Sequence, residues 1–294
     1  MVQWSVVPGP ASEELSSKLA ERLKADVIGI DVKVFPDGES KFRVEGDVMD
    51  KRVIMVQSMY PPVDRHILQA LILAHKLSEE GAQVYALIPY LGYSRQDKEF
   101  LKGEVVSLGV LARLFRSVGI KRLVTLDIHS SMSLGYFTIP TYSVSAIPLL
   151  AEYFKGRKNL GDFVAVSPDL GASVRVEAFA KVLDVEHIVF QKIRNKVTGE
   201  ITVLDRDVVI EGKEIIIVDD IISTGGTIRG AADLLLKNGA KKVYAACVHP
   251  VLAGDALDRI IESGVEEVVG TNSIPSPVSK IDITSVVASY FETL

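Results

Sequence analysis

The chain repeats itself, and that repetition limits its fold more than any single motif does. "SEEGAQVYA" (78–86) and "LKNGAKKVYA" (236–245) both read as a helix end, a Gly-Ala step and a strand. "GIKRLVTLD" (119–127) and "GVEEVVGTN" (264–272) follow them, and "VIMVQS" (53–58) and "IIIVDD" (215–220) precede them. Three matches in one order imply an internal duplication. Within each copy, β-rich runs such as "QVYALIPY" (83–90) and "KVYAACV" (242–248) alternate with helical patterns such as "DRHILQALILAHKLSEE" and "TIRGAADLLLKNG". Such alternation predicts an α/β chain whose mainly parallel sheets are flanked by helices. Polar, glycine-containing "KGRKNLGD" (155–162) puts the boundary near 140–160, giving domains over 1–145 and 146–294. The last helix could pack back on the first domain.

The copies differ where ligands would bind. The second has "DDIISTGGT" where the first has "QSMYPPVDR", with neither the acid pair nor the glycines. Tyr85 to Gly119 spans 34 positions and Tyr244 to Gly264 only 20, so the first copy gains about 14 residues. They coincide with the charged segment "GYSRQDKEFLKGE" (92–104), as a loop insertion would.

Bulk properties exclude several classes. Net charge is −5 and no basic run exceeds two residues, which argues against nucleic acid as a partner. Cys247 is the only cysteine, so a disulfide framework and a thiolate metal site are excluded. The opening "MVQWSVVPGP" does not read as a signal peptide, and the apolar runs are too short for a membrane span. The expectation is a soluble, cytoplasmic protein.

In "VDDIISTGGT" a strand ends in Asp219 and Asp220, and Ser223, Thr224, Gly225, Gly226 and Thr227 form the turn into a helix. Backbone N–H groups and hydroxyls there attract a phosphate. Carboxylates beside it repel a second phosphate but accept hydrogen bonds from sugar hydroxyls. Together they describe a site for ribose 5-phosphate, with the phosphate in the turn and the 2- and 3-hydroxyls on the aspartates.

Acid-acid followed by Thr-Gly-Gly-Thr resembles the ribose-phosphate loop of type I phosphoribosyltransferases. "FPDGES", "GYSRQDK", "DIHS", "SPDLGA" and "QKIRNK", in that order, narrow the resemblance to ribose-phosphate pyrophosphokinases across almost the whole chain. It implies two duplicated type I phosphoribosyltransferase-like domains. Phe35, Asp37, Gly38 and Glu39 would hold the ATP base and ribose across a subunit interface, although Pro-Asp-Gly is also ordinary turn chemistry. Arg95 and Gln96, with Asp97 behind, would contact ATP through the planar fork that arginine offers phosphates.

Asp127 and His129 fall two apart at a strand end and are read on one face. By resemblance His129 faces Mg²⁺-ATP, through water or weakly, because Mg²⁺ prefers oxygen. Asp169 would meet Mg²⁺ beside a diphosphate, or else cap the following helix. Lys192 and Arg194, on a β-hairpin read over 190–203, would form a catalytic arm closing over the reacting phosphates.

The implied reaction transfers diphosphate from Mg-ATP to the 1-hydroxyl of ribose 5-phosphate, giving 5-phosphoribosyl 1-diphosphate and AMP. Mg²⁺ is the expected cofactor and a homo-oligomer, at least a dimer, the expected assembly. A phosphoribosyltransferase is one alternative, but it leaves the duplicated half and its Arg-Gln loop unused. A non-catalytic regulatory homologue is the other, and retention of His129 and Lys192 argues against it.

Overall fold

The computed structural model describes residues 3–156, 163–190 and 209–294. Lys192 and Arg194, all but the first residue of the hairpin read over 190–203, and most of the "KGRKNLGD" link lie outside the described residues. The chain divides into two compact units, Met1–Ser145 with Thr284–Leu294, and Ala146–Ile283.

The first unit runs β1 (Trp4–Pro8), α1 (Glu13–Leu23), β2 (Asp26–Val27), β3 (Gly29–Val34), β4 (Ser40–Glu45), β5 (Arg52–Val56), α2 (Val63–Glu79), β6 (Gln83–Ile88), α3 (Ser107–Ser117), β7 (Ile120–Leu126) and β8 (Thr141–Val144). Its sheet has the order β2-β1-β5-β6-β7-β8, all parallel, with β3 and β4 as a separate antiparallel hairpin. The second unit runs α4 (Ile147–Lys155), β9 (Phe163–Ser167), α5 (Ser173–Leu183), β10 (Glu186–Val189), β11 (Glu214–Ile222), α6 (Gly226–Lys237), β12 (Lys242–Pro250), α7 (Ala256–Glu262), β13 (Val265–Thr271) and β14 (Ser279–Ile281). Its sheet order is β10-β9-β11-β12-β13-β14, again parallel throughout.

The repeat holds to the residue. Ile54 pairs with Tyr85 in the first sheet, as Ile216 pairs with Tyr244 in the second. Even the register irregularity is shared, falling at Val84/Tyr85 against β7 and at Val243/Tyr244 against β13. Central strands β6, β9, β11 and β12 are almost wholly buried, because helices cover both faces and both side-chain rows must be apolar. Each unit has its own core, around Met55, Leu73, Ile88 and Phe115 in the first and Ile217, Leu235, Val243 and Ile260 in the second.

The helix α8 (Thr284–Glu292) belongs to the first unit, packing on α1 and β8. It does there what α4 does in the second unit, where α4 packs on α5 and β14. The Tyr290 hydroxyl accepts from Arg122 at 3.0 Å, while the Tyr153 hydroxyl donates to Glu267 at 2.9 Å, and Arg122 and Glu267 hold matching register positions. "ASYF" (288–291) and "AEYF" (151–154) are the sequence trace of this equivalence. The helix that ends each repeat thus packs on the sheet of the other.

Candidate active site

Strand β11 runs past its neighbour β9 and delivers Asp219 and Asp220 to the carboxyl end of the second sheet, where ligands of open α/β sheets bind. Although consecutive strand residues face opposite ways, the two carboxyl groups stay within hydrogen-bonding reach of each other. Asp220 is buried against α5, 3.3 Å from the Arg175 guanidinium. Asp219 is half-buried, and its Oδ1 accepts the Asp220 N–H at 2.8 Å. Burial, then the charges of Asp220 and Asp169, push the Asp219 carboxyl well above the usual carboxylate range.

The turn after β11 is shaped for close approach. Gly225 caps α6 with φ +75°, and a Cβ there would lie 2.8 Å from the Ile260 side chain. Its flank is tied down by Ala253 N–H to the Ser223 carbonyl at 3.0 Å and Leu252 N–H to the Ile222 carbonyl at 2.9 Å. Thr224 and Gly226 are exposed, and the first turn of α6 leaves N–H groups without intrahelical acceptors. With Ser223 and Thr227 beside them, these groups are donors of the kind an anion takes.

On the neighbouring strand, the turn after β9 closes on Asp169, whose Oδ1 accepts the Gly171 N–H at 2.8 Å. This hydrogen bond caps the 3-10 turn Leu170–Ala172 that leads into α5, while α5 itself begins after Ala172 without a side-chain cap. Oxygen donors are what Mg²⁺ takes, usually keeping waters and substrate phosphates as its other ligands. Asp169 and Asp219 fit that need, since a cation relieves their mutual repulsion. No group of three or more His, Cys, Asp or Glu among the described residues could hold a metal by itself.

The first unit has closed the corresponding place. Gln57 and Ser58, which match Asp219 and Asp220 in register, are buried. Gln57 Oε1 accepts the Ala11 N–H at 3.1 Å, Ser58 N–H donates to Ser12 Oγ at 2.8 Å, and Ser58 Oγ accepts the Tyr90 N–H at 3.2 Å. What the second unit leaves for a ligand, the first fills with its own hydrogen bonds.

The first unit's polar site is instead the long connection between β6 and α3. Arg95 and Gln96 line a cavity of about 770 Å³ with Arg65, Asp64, Tyr93 and Phe100. Tyr93 donates to Asp64 at 2.7 Å, which steadies one wall. Arg65, Tyr93 and Phe100 were not singled out from sequence; an aromatic flanking each end of "SRQDKE" was the available signal. Asp97 lies in a different depression, its Oδ2 accepting from Ser133 at 2.8 Å and its carbonyl from Tyr136 at 2.6 Å. Phe35, Asp37, Gly38 and Glu39 form the exposed end of the β3–β4 hairpin, with Glu39 N–H on Asp37 Oδ1 at 3.1 Å. They are not part of the Arg95 cavity lining.

The expected Asp127–His129 face needs correcting. Strand β7 stops at Leu126, and Asp127 has φ +32°, so strand alternation does not extend to His129. Asp127 Oδ1 accepts from Ser145 at 2.8 Å, and His129 is exposed.

Comparison with known proteins agrees with this geometry. Residues 4–119 match the family model for the N-terminal domain of ribose phosphate pyrophosphokinase, and 172–289 match the phosphoribosyl synthetase-associated domain. A ribose-phosphate pyrophosphokinase of Sulfolobus acidocaldarius is 36% identical, over 96% of this chain and 97% of that protein. The Bacillus subtilis protein of that name is 38% identical, over 92% and 85%. The crystal structure of phosphoribosylpyrophosphate synthetase from Mycobacterium smegmatis superposes with a TM-score of 0.89 at 30% identity, covering 99% of this chain and 98% of the other. The doubled α/β sheet is therefore a pair of phosphoribosyltransferase-like domains. With identity of this order along nearly the whole of both chains, this protein belongs to the ribose-phosphate pyrophosphokinase family of enzymes.

Proposed function

We infer that the protein transfers the diphosphate of Mg-ATP to the 1-hydroxyl of ribose 5-phosphate, forming 5-phosphoribosyl 1-diphosphate and AMP. The observation that carries this reading is the asymmetry between matched positions. The second unit keeps carboxylates and a glycine turn where the first has sealed the place with Gln57 and Ser58. That asymmetry supports assigning the sugar phosphate to the second unit and the nucleotide to the first, which has the guanidinium-lined cavity at Arg95.

The α6 turn would take the 5-phosphate and the acid pair the ring hydroxyls. Arg95 and Gln96 would hold the donor phosphates. Mg²⁺, which Asp169 and Asp219 would hold through oxygen, would supply charge neutralisation on the transferring group, and His129 is assigned a weak or water-mediated contact with it. Transfer of this kind asks the protein for alignment and electrostatics more than for covalent chemistry. Lys192 and Arg194 are assigned to that neutralisation. The exposed Phe35–Glu39 loop, apart from the Arg95 cavity lining, supports a homo-oligomer in which a neighbouring copy completes the nucleotide site.

The test is to incubate the pure protein with Mg-ATP and ribose 5-phosphate across a range of phosphate concentrations and to measure AMP and the sugar diphosphate. Both are expected in equal amounts. Production of ADP in place of AMP, or no nucleotide product at all, would overturn the reading.

A further inference from the structure

Arg175 connects the two loops that make up the sugar-phosphate site. It lies in the first turn of α5 with its side chain only 13% exposed. Nη1 donates to the Gly171 carbonyl at 3.2 Å, and Nη2 lies 3.3 Å from Asp220 Oδ2. Gly171 N–H in turn donates to Asp169 Oδ1, and Asp220 N–H donates to Asp219 Oδ1, each at 2.8 Å. An unbroken path therefore runs from Asp169 through Gly171, Arg175 and Asp220 to Asp219. It bridges the turn after β9 and the end of β11, which are adjacent strands.

Each link has a physical reason. A carboxylate as buried as Asp220, 4% exposed, persists as an ion only beside a cation that replaces its water. A guanidinium does this while a second nitrogen of the same plane reaches a backbone carbonyl; an ammonium on a flexible stem does not hold both directions at once. The partner also settles which way Asp220 turns. Asp219, its immediate neighbour, is in hydrogen-bonding contact with it, so the place of one carboxylate sets that of the other.

We propose that Arg175 is a positioning residue for ribose 5-phosphate: its guanidinium sets the spacing between the Asp169 turn and the Asp219–Asp220 pair. It acts through those groups and not by touching the sugar. The proposal rests on the assignment of the acid pair to the ribose hydroxyls made above.

The experiment compares Arg175→Lys with the wild-type protein in the AMP-forming assay, varying ribose 5-phosphate and ATP separately. Lysine keeps the charge and loses the fork. The expected result is a rise of about 10-fold in KM for ribose 5-phosphate, the scale of one charge-assisted hydrogen bond. KM for ATP should stay within about twofold, with the melting temperature little changed. An unchanged KM for ribose 5-phosphate, or equal rises in both KM values, overturns the proposal.

Should Arg175→Lys fail to fold, Arg175→Gln, which leaves Asp220 in place and keeps a planar donor without the charge, is read in the same way. Its KM for the sugar phosphate should rise at least about 10-fold, the scale of one charge-assisted hydrogen bond. Equal changes in both KM values refute the idea there too. A wild-type protein that forms no AMP refutes the functional reading instead. Calorimetric binding of ribose 5-phosphate to wild type and R175K then tests the positioning role alone: a weaker Kd for the variant supports it and an equal Kd overturns it.

Discussion

Replacing Gly225 by alanine tests whether the anion turn depends on a backbone that only glycine tolerates. Gly225 has φ +75°, and its missing Cβ would meet Ile260 Cδ1 and Cγ1 at 2.8 Å. Left-handed backbone costs an L-residue roughly 1–2 kcal/mol. Ile260 is fully buried, so the overlap behaves as overpacking, worth about 1–3 kcal/mol more. The sum, about 2–5 kcal/mol, is a large share of a domain's stability. Gly226→Ala is the control, because there the nearest atom is Thr224 Oγ1 at 4.0 Å. As an early residue of α6 it should be neutral or gain about 0.5–1 kcal/mol. Unfolding in urea, followed by circular dichroism, would rank the variants. G225A should also bind ribose 5-phosphate more weakly, since the N–H groups of the turn move with it. Adding Ile260→Val removes one of the two overlapping atoms, so the double variant should lose less than the sum of the single ones. Equal stability of G225A and G226A, or strict additivity with I260V, would refute the reasoning.

Four other outcomes are expected. The raised Asp219 carboxyl means that the folded protein binds more protons than the unfolded chain, whose carboxyl titrates near 4. Stability then falls as pH rises from there through the native value. Asp219→Asn should therefore melt above wild type at pH 7 without Mg²⁺, with the gap closing toward pH 4; a variant melting below wild type at pH 7 would contradict this. Arg95→Lys keeps charge but not the fork, and should raise KM for ATP about 10-fold while leaving ribose 5-phosphate binding unchanged by calorimetry. Lys192→Ala should lower turnover far more than the binding of either substrate, measured by steady-state rates beside direct titration. Phe291→Ala should cost about 3–5 kcal/mol. Trp4, the chain's one tryptophan, packs edge-on against Phe291 at 5.4 Å, so its fluorescence should shift to the red.

What could be read in the sequence was what is local. The register of the repeat was legible because a Gly-Ala step and then a tyrosine recur in the same order, and Tyr85 and Tyr244 do hold matching positions. The acid pair and its glycine turn were legible because strand end, acids and helix start are contiguous. The added loop was legible as a length difference. The return of the last helix to the first domain was raised as an expectation and holds, although an amphipathic helix does not by itself announce which sheet it will cover. Two features were not legible. Strand β7 ends one residue before Asp127 because that residue's backbone turns left-handed, and alternation alone does not reveal this. The tie between Arg175 and Asp220 joins separate elements, which only the packing of α5 on β11 brings together.

The crossing of α4 and α8 changes what counts as a fragment. The second unit is continuous in the chain, with its covering helix immediately ahead of β9, while the first is interrupted and recovers its helix from the far end. Cutting the gene at residue 145 would strip the first sheet of Tyr290 and Phe291. A rearranged gene would not. Arg52, the register partner of Trp4, donates to the Leu294 carbonyl at 3.4 Å, so the end of the chain lies beside the start of β1. Moving 284–294 ahead of β1 with a short linker would give the first unit the continuous order, helix then first strand, that its twin already has.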